Sequence, residues 1–494
     1  MPQKIVVDPL TRIEGHLGVE AVVDGGKVVE ARCAGTLYRG FEQILAGRHP
    51  LDAVQITQRF CGVCPTAHAL ASAQCLDNAL GIVPPHNGRV IRNLIQGANY
   101  IQSHILHFYH LAALDFVRGP EFPPFIPRFE ADYRLPEKVS QEIVGHYVQA
   151  LHIRMKAHEM SAVFSGKMPH CASVVPGGVT VTPAVDKVTT FLWRLKELRE
   201  FIENVYIPDV LTVAGVYRDY AEIGRGGRRY LSYGAFDMDS DPDVLKRTRF
   251  FQMGRVVDGK RAPVDPAKIT EDVRHAWYRE APPSHPSKET TEPDRKKEGA
   301  YSWLKAPRYD GASYEVGPLA RALVNTVDGA NPALAKAVDG ALSELRLKRE
   351  NLCSVMGRHL ARALETKILA DAMADWVLQI KLDEPVAVGH KMPESAAGMG
   401  LWDASRGALG HWISIRNQKI ERYQAVVPTT WNASPHDGKD QPGPIEAALV
   451  GAPVEDPANP FAVARIVRSF DPCIACAVHL VTPRGRLLAS ARLV

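Results

Sequence analysis

Two short cysteine pairs at opposite ends of the chain constrain its folding more than any other feature. One is Cys61-Gly62-Val63-Cys64, preceded by Arg59-Phe60 and followed by Pro65-Thr66-Ala67-His68. The other is Cys473-Ile474-Ala475-Cys476, preceded by Asp471-Pro472 and followed by Ala477-Val478-His479. Their first cysteines stand 412 positions apart. If both pairs serve one site, the fold has to bring its two ends together. A two-residue spacer lets both sulfurs of a pair face one ion, so the pairs together offer four thiolates to a soft metal. Taken bare, they read as a structural zinc site. Thioredoxin-like redox motifs are the other reading, although two of them so far apart would be unusual.

The rest of the composition narrows the class. A chain of 494 residues with 46% hydrophobic and 23% charged side chains has ample material for a core. Length alone suggests two or three domains. Contacts that join the two ends argue instead for one interwoven domain over residues 1–479, followed by an extension over 480–494. Eight cysteines are too few for a disulfide scaffold, and a net charge of +4 points to no nucleic-acid partner. The start, Met1 to His16, has no apolar h-region, and no apolar run of about 18 residues occurs. The chain by itself therefore reads as soluble, with no export signal of its own.

Periodicity predicts a mainly helical α+β protein with small mixed β elements at both ends. Residues 4–7 and 17–34 read as a hairpin around Asp24-Gly25-Gly26. Helices are expected over Phe41–Leu45, Pro65–Leu80, Asn87–Val117, Glu137–Phe164 and Lys187–Glu203, with two more between 332 and 380. Residues 234–312 read as a polar loop-and-strand excursion on the surface, and residues after Glu384 as short strands and turns. The glycine-rich pieces at 176–180, 224–229 and 398–403 match no phosphate-binding pattern and read as turns.

Five blocks together resemble the large subunit of nickel–iron hydrogenases: Arg12-Ile13-Glu14-Gly15-His16, the 59–68 stretch, 107–115 (HFYHLAALD), 315–321 (EVGPLAR) and 471–479. The phrase QSHILHFYHLAALD is similar to the nickel–iron–selenium branch, but Cys473 stands where that branch has selenocysteine. The resemblance implies a catalytic subunit that splits dihydrogen reversibly and heterolytically at a binuclear Ni–Fe site. It implies that Cys61, Cys64, Cys473 and Cys476 bind nickel, with Cys64 and Cys476 also bridging to iron. It further implies carbon monoxide and cyanide on that iron. The competing reading is a non-catalytic zinc or scaffold subunit of a respiratory complex, against which all four cysteines in both extended motifs speak.

By the same resemblance, Arg406 lies over the metals, paired with Asp471, and Thr429 holds a cyanide beside the apolar Val427 and Pro428. This chain has Asp403-Ala404-Ser405-Arg406-Gly407 where relatives carry EAPRG, so a proline is missing from that wall. His68 is expected to donate to the sulfur of Cys64, and Glu14 to relay protons from the terminal thiolate. Ser103 stands where several relatives have aspartate. His104, His107 and His110 read as hydrogen-bonded core histidines of one helix. A magnesium-type cation is implied at Glu42, the Ala425 carbonyl and His479.

Once four cysteines hold nickel, none remain in a cluster-binding array. A small subunit with iron–sulfur clusters is therefore the expected partner, with a cytochrome as a further candidate. The resemblance also implies nickel-insertion proteins, and a maturation protease that removes the residues after His479. Export to the periplasm together with the small subunit is the first expectation, and a cytoplasmic complex the second.

Overall fold

A computed structural model describes residues 2–123, 125–126, 128, 131–289 and 291–477. The N-terminal β1 (Gln3–Val7), β2 (Leu17–Asp24) and β3 (Lys27–Gly35) form one antiparallel sheet, a strand more than the expected hairpin. Two short helices, α1 (Phe41–Leu45) and α2 (Asp52–Thr57), lead to the first cysteine pair. Helix α3 (Pro65–Leu80) starts directly after Cys64 with proline at its first position and ends on Gly81 in the left-handed region.

Helix α4 (His86–Leu106) is the spine of the molecule. It is buried almost all round, and one π-helical turn, His107–Ala112, continues it towards Asp115. The periodicity that predicted one helix to Val117 could not reveal that change of winding. Around α4 lie α5 (Glu137–Ser165), α6 (Val185–Phe201), α7 (Ile207–Val216), α8 (Pro318–Thr326), α9 (Pro332–Leu345) and α10 (Val355–Val377). Between α5 and α6 sits the small pair β4 (Val174–Val175) and β5 (Gly178–Val179). Helix α8 was not anticipated, although Pro318 at its first position is a start signal.

The stretch expected as a surface excursion contributes to the interior instead. Just before it runs β6 (Arg229–Ser232), and it holds β7 (Ala235–Asp237), β8 (Arg249–Phe251), β9 (Gly254–Val257), β10 (Lys260–Ala262), β11 (Ile269–Asp272) and β12 (Ala306–Tyr309). Strand β13 (Glu315–Val316) pairs parallel with β6. Phe236, Phe251, Ile269, Leu304 and the charged Lys305 and Arg308 are all buried. Polar composition misled here because those charges are paired inside: Arg308 Nε lies 2.7 Å from Asp437 Oδ2 and Lys305 Nζ 3.0 Å from Glu289 Oε1.

The C-terminal part is more regular than expected. β14 (Ser395–Ala404), β15 (Gly407–Arg416) and β16 (Lys419–Val426) make a long antiparallel sheet. Helices α11 (Pro428–Asn432), α12 (Pro444–Leu449), α13 (Phe461–Ser469) and α14 (Ile474–Ala477) follow. The glycines of 398–403 are strand residues, not a turn. A Cβ on Gly398 would stand 2.3 Å from the Cys75 carbonyl oxygen, and one on Gly400 2.1 Å from that of Ala71. Their absent side chains let β14 lie on the backbone of α3.

One buried carboxylate ties the two ends together. Asp115 pairs with Arg12 of the N-terminal arm, and its Oδ1 accepts from Arg468 Nη1 at 2.6 Å. Arg468 Nε also donates to the Thr11 carbonyl at 2.9 Å. Burial alone would raise the Asp115 pKa, but Arg12 and Arg468 outweigh it and hold the group below its ordinary value. Such a lowered group stabilises the fold fully above its unfolded pKa of about 4 and loses that contribution as pH falls through the folded value. Asp115→Asn should therefore cost about 3–5 kcal/mol at neutral pH, since it strands the buried Arg468 and the half-buried Arg12. The gap from wild type in thermal unfolding should shrink below about pH 4. A neutral-pH loss within 1 kcal/mol, about the worth of a surface ion pair, would contradict this role.

Candidate metal centre

The sequence pattern RIEGH places a glycine where only a glycine fits. Gly15 has φ +83°, and a Cβ there would meet the Ala475 nitrogen at 2.8 Å. This close pass lets the arm pair in parallel with the second cysteine motif: Glu14 bridges to Cys473, and Ile474 N donates to the Glu14 carbonyl at 2.8 Å. Glu14 thus sits in the loop between β1 and β2, not at the end of a strand. Arg39 joins both motifs, donating to the carbonyls of Phe60 at 2.8 Å and Ala475 at 3.3 Å.

The four sulfurs of Cys61, Cys64, Cys473 and Cys476 all lie within 4.8 Å of one another and are buried. Their separations run from 3.0 Å (Cys473–Cys476) through 3.2 Å (Cys64–Cys476) and 3.3 Å (Cys61–Cys473) to 4.0 Å (Cys64–Cys473). Four sulfurs at about 2.3 Å from one ion would be spaced similarly, so the quartet fits a thiolate-bound metal. Hydrogen bonds from Cys473, Cys476 and Cys64 hold the Cys61 thiol well below its usual pKa. Desolvation drives Cys473 and Cys476 the other way. Filling the site with a soft cation therefore expels protons from the second pair.

On one side of the quartet stands Glu14. Its Oε2 accepts from Cys473 Sγ at 3.2 Å and from Ala475 N at 2.9 Å. Burial lifts its pKa to about 7, the nearby Cys61 thiolate adding to the effect. The guanidinium of Arg406 is also buried, and its charge acts on Cys473, Cys64 and Cys61. Its Nε donates to the Asp471 carbonyl at 3.1 Å, and Nη2 lies 3.0 Å from Asp471 Oδ1. That ion pair lacks hydrogen-bond alignment, so both terminal nitrogens of Arg406 keep buried donors unused. A closed zinc staple has no use for such donors; small anionic ligands on a second metal would take them. Thr429 Oγ1 accepts from Cys473 N at 2.9 Å, which leaves its own proton free to donate. Val427 and Pro428 are buried beside it.

His68 has a ring partner that the sequence did not announce. Its Nδ1 meets His411 Nε2 at 3.3 Å, in a chain that continues from His411 Nδ1 to Tyr423 Oη at 2.7 Å and on to Ser72 Oγ at 3.0 Å. Burial lowers its pKa to about 4, so the ring is neutral. His104, His107 and His110 are core histidines as read, bonded to Glu365 at 2.9 Å, the Arg468 carbonyl at 2.7 Å and the Tyr147 carbonyl at 3.1 Å. Glu42 is half-buried in α1 and its pKa is raised by burial, with Lys305 opposing. Ala425 is buried on β16, paired with His411. His479 and the 480–494 extension lie outside the described residues.

Sequence reading missed the support beneath Arg406. Arg321 spends all its donors there. It reaches Glu365 from Nε at 2.7 Å and Nη2 at 2.8 Å, Asp403 Oδ2 at 3.1 Å, and the carbonyls of Ala404 at 2.9 Å and Ser405 at 2.7 Å. This clamp fixes the loop that lacks the relatives' proline. The signal was present in the EVGPLAR block, whose arginine sits in an otherwise apolar run.

Known proteins resemble the chain closely. A family described as nickel-dependent hydrogenase matches residues 39–122 and 120–479, and one described as HoxL-like matches residues 4–34. The large subunit of the periplasmic [NiFeSe] hydrogenase of Desulfomicrobium baculatum is 44% identical over 97% of this chain and 95% of its own. The hydrogenase-2 large chain of Escherichia coli is 34% identical over 100% of both. A solved [NiFeSe] hydrogenase structure from Dm. baculatum superposes with a TM-score of 0.93 at 45% identity, covering 97% of this chain and 100% of its own. That from D. vulgaris Hildenborough in the reduced state gives 0.91 at 46%, with the same coverage.

Gly15→Ala tests the close pass that builds the site. The added methyl pushes the Glu14 arm off the second cysteine motif, so metal per purified chain should fall several-fold while helical content stays, by metal analysis and circular dichroism. Full metal content in the variant would show that the arm is not needed to assemble the quartet.

Proposed function

The chain belongs to the nickel-dependent hydrogenase family, and from that premise we propose how its own residues divide the work at the metal site. It is the catalytic large subunit of a hydrogenase, with a nickel–iron centre. When bound, that centre supplies the reversible, heterolytic cleavage of dihydrogen. The observation that carries the assignment of roles is the buried sulfur quartet, flanked by a carboxyl group and a guanidinium with unused donors.

Cys61, Cys64, Cys473 and Cys476 would hold the nickel, and Cys64 and Cys476 would also hold the iron. Arg406, steadied by Asp471, would donate to a cyanide, and the Thr429 hydroxyl would serve a second one, with carbon monoxide as the remaining diatomic ligand. Val427 and Pro428 keep this wall apolar, and dry surroundings strengthen each polar contact. Glu14 takes the proton from Cys473 Sγ at 3.2 Å. A carboxyl group with a pKa near 7 can both accept and release a proton at neutral pH. His68 braces α3 behind Cys64 through its bond to His411.

Glu42, the Ala425 carbonyl and His479 would hold a magnesium-type cation. Electrons leave through a small subunit with iron–sulfur clusters, and a cytochrome is a further partner. Among the described residues no helix is long and apolar enough to cross a membrane. The Dm. baculatum relative is named periplasmic, which supports a periplasmic site reached together with the small subunit. Nickel-insertion proteins load the site, and a protease then removes residues 480–494.

Two outcomes check this reading. Glu14→Gln keeps size and shape but cannot relay a proton, so dihydrogen oxidation should fall about 100-fold or more with nickel and iron content unchanged. A near-normal rate in the fully metallated variant would move the relay elsewhere. Intact-mass measurement of active enzyme should give a chain ending at His479. A mass that includes all 494 residues would refute the processing step.

A further inference from the structure

Helix α4 carries a stripe of buried amides whose oxygens have no protein donor. Asn93, Gln96 and Asn99 are each at most 2% exposed, and Asn93 Oδ1, Gln96 Oε1 and Asn99 Oδ1 are all unpartnered. Their orientation is not interchangeable, because each amide nitrogen is committed to a backbone carbonyl. Asn93 Nδ2 donates to Asp237 O at 2.8 Å, Gln96 Nε2 to Asp403 O at 3.3 Å, and Asn99 Nδ2 to Val63 O at 3.2 Å. Turning any amide over would set oxygen against oxygen. A buried acceptor left without a donor costs about 1–3 kcal/mol, and three in succession on one helix is not an arrangement a core sustains dry.

The stripe has two defined ends. At the outer end Asn93 lines a partly open pocket with Gln74, Arg89, Arg92, Asp237 and Trp402. In that pocket both amide atoms of Gln74, the Arg89 Nε and the Trp402 indole nitrogen also lack partners. Its volume of about 20 Å³ admits a water. At the inner end, one helical turn beyond Asn99, the hydroxyl of Ser103 meets that of Ser405 at 3.1 Å, directly before Arg406. Successive amides are three residues apart, a rise of about 4.5 Å. One water donating to two neighbouring oxygens spans about 4.5 Å at its tetrahedral angle, so single waters can link each step.

We propose that this stripe is the wall of a water-filled seam that runs from the Gln74–Trp402 pocket along α4 to the Ser103–Ser405 end of the metal cavity. The ligand is water, donating to the three amide oxygens in turn. Asn99 holds the carbonyl of Val63 inside the first cysteine motif, so the seam passes beside that motif and shares no residue with Glu14's contact with Cys473. It is independent of which metals the quartet binds.

A crystal structure of the purified heterodimer, at a resolution that defines ordered solvent, tests this directly. It should show water within hydrogen-bond distance of Gln96 Oε1 and Asn99 Oδ1, continuous with water in the Gln74 pocket. Solvent-free density beside both oxygens, or protein donors on them, would overturn the proposal. Gln96→Leu supplies the second arm: the folded variant, checked by its melting temperature, should lose the water at position 96 and break the file there. Should the variant not fold, the wild-type density alone decides. An unbroken file in a folded Gln96→Leu would show that the amide stripe does not hold the water.

Discussion

Four sulfurs from segments more than 400 positions apart share a space less than 5 Å across, and the architecture follows from holding them there. Sulfur is large and each buried thiol is costly to ionise, so the quartet persists only where surrounding backbone leaves it no room to spread. Three devices supply that confinement. The Glu14–Cys473 bridge pins the second pair, Arg39 spans both pairs, and Asp115 draws the N-terminal arm and α13 onto the end of the central helix. The domain is interwoven because none of these contacts is local.

The second principle is that charge is placed inside deliberately and then satisfied. Arg321, Arg465 and Arg468 are buried, and each reaches several carbonyl or carboxylate acceptors in segments distant in sequence. A guanidinium suits this because its planar fork can hold two or three strands of chain in fixed relation. Arg406 differs from these three: its terminal nitrogens make no aligned hydrogen bond within the protein, and it faces the sulfurs. Unused guanidinium donors aimed at the sulfur quartet are what a ligand-binding wall requires.

Much of this was legible in the sequence, and the reasons for the rest are specific. The cysteine pairs, the long helices and the core histidines announced themselves through spacing and periodicity. Residues 234–312 did not, because their buried charges are bridged to one another or, for Arg308, to Asp437, and polarity alone cannot distinguish a solvated charge from a bridged one. The glycines at 398 and 400 looked like a turn because only tertiary contact with α3 explains them. The His411 partner of His68 could not be read from the sequence, because it comes within reach of the ring only once β15 packs on α3. Asp403 and Arg321 carry no chemistry of their own, so nothing local marked them as the footing of Arg406.

X-ray absorption at the nickel edge of the purified enzyme tests the central claim most directly, since it reports the metal together with its immediate neighbours. One nickel per large subunit, with a sulfur shell supplied by four cysteines and an iron just beyond it, is the result expected. Zinc in place of nickel, or a nickel shell dominated by nitrogen and oxygen, would contradict the account.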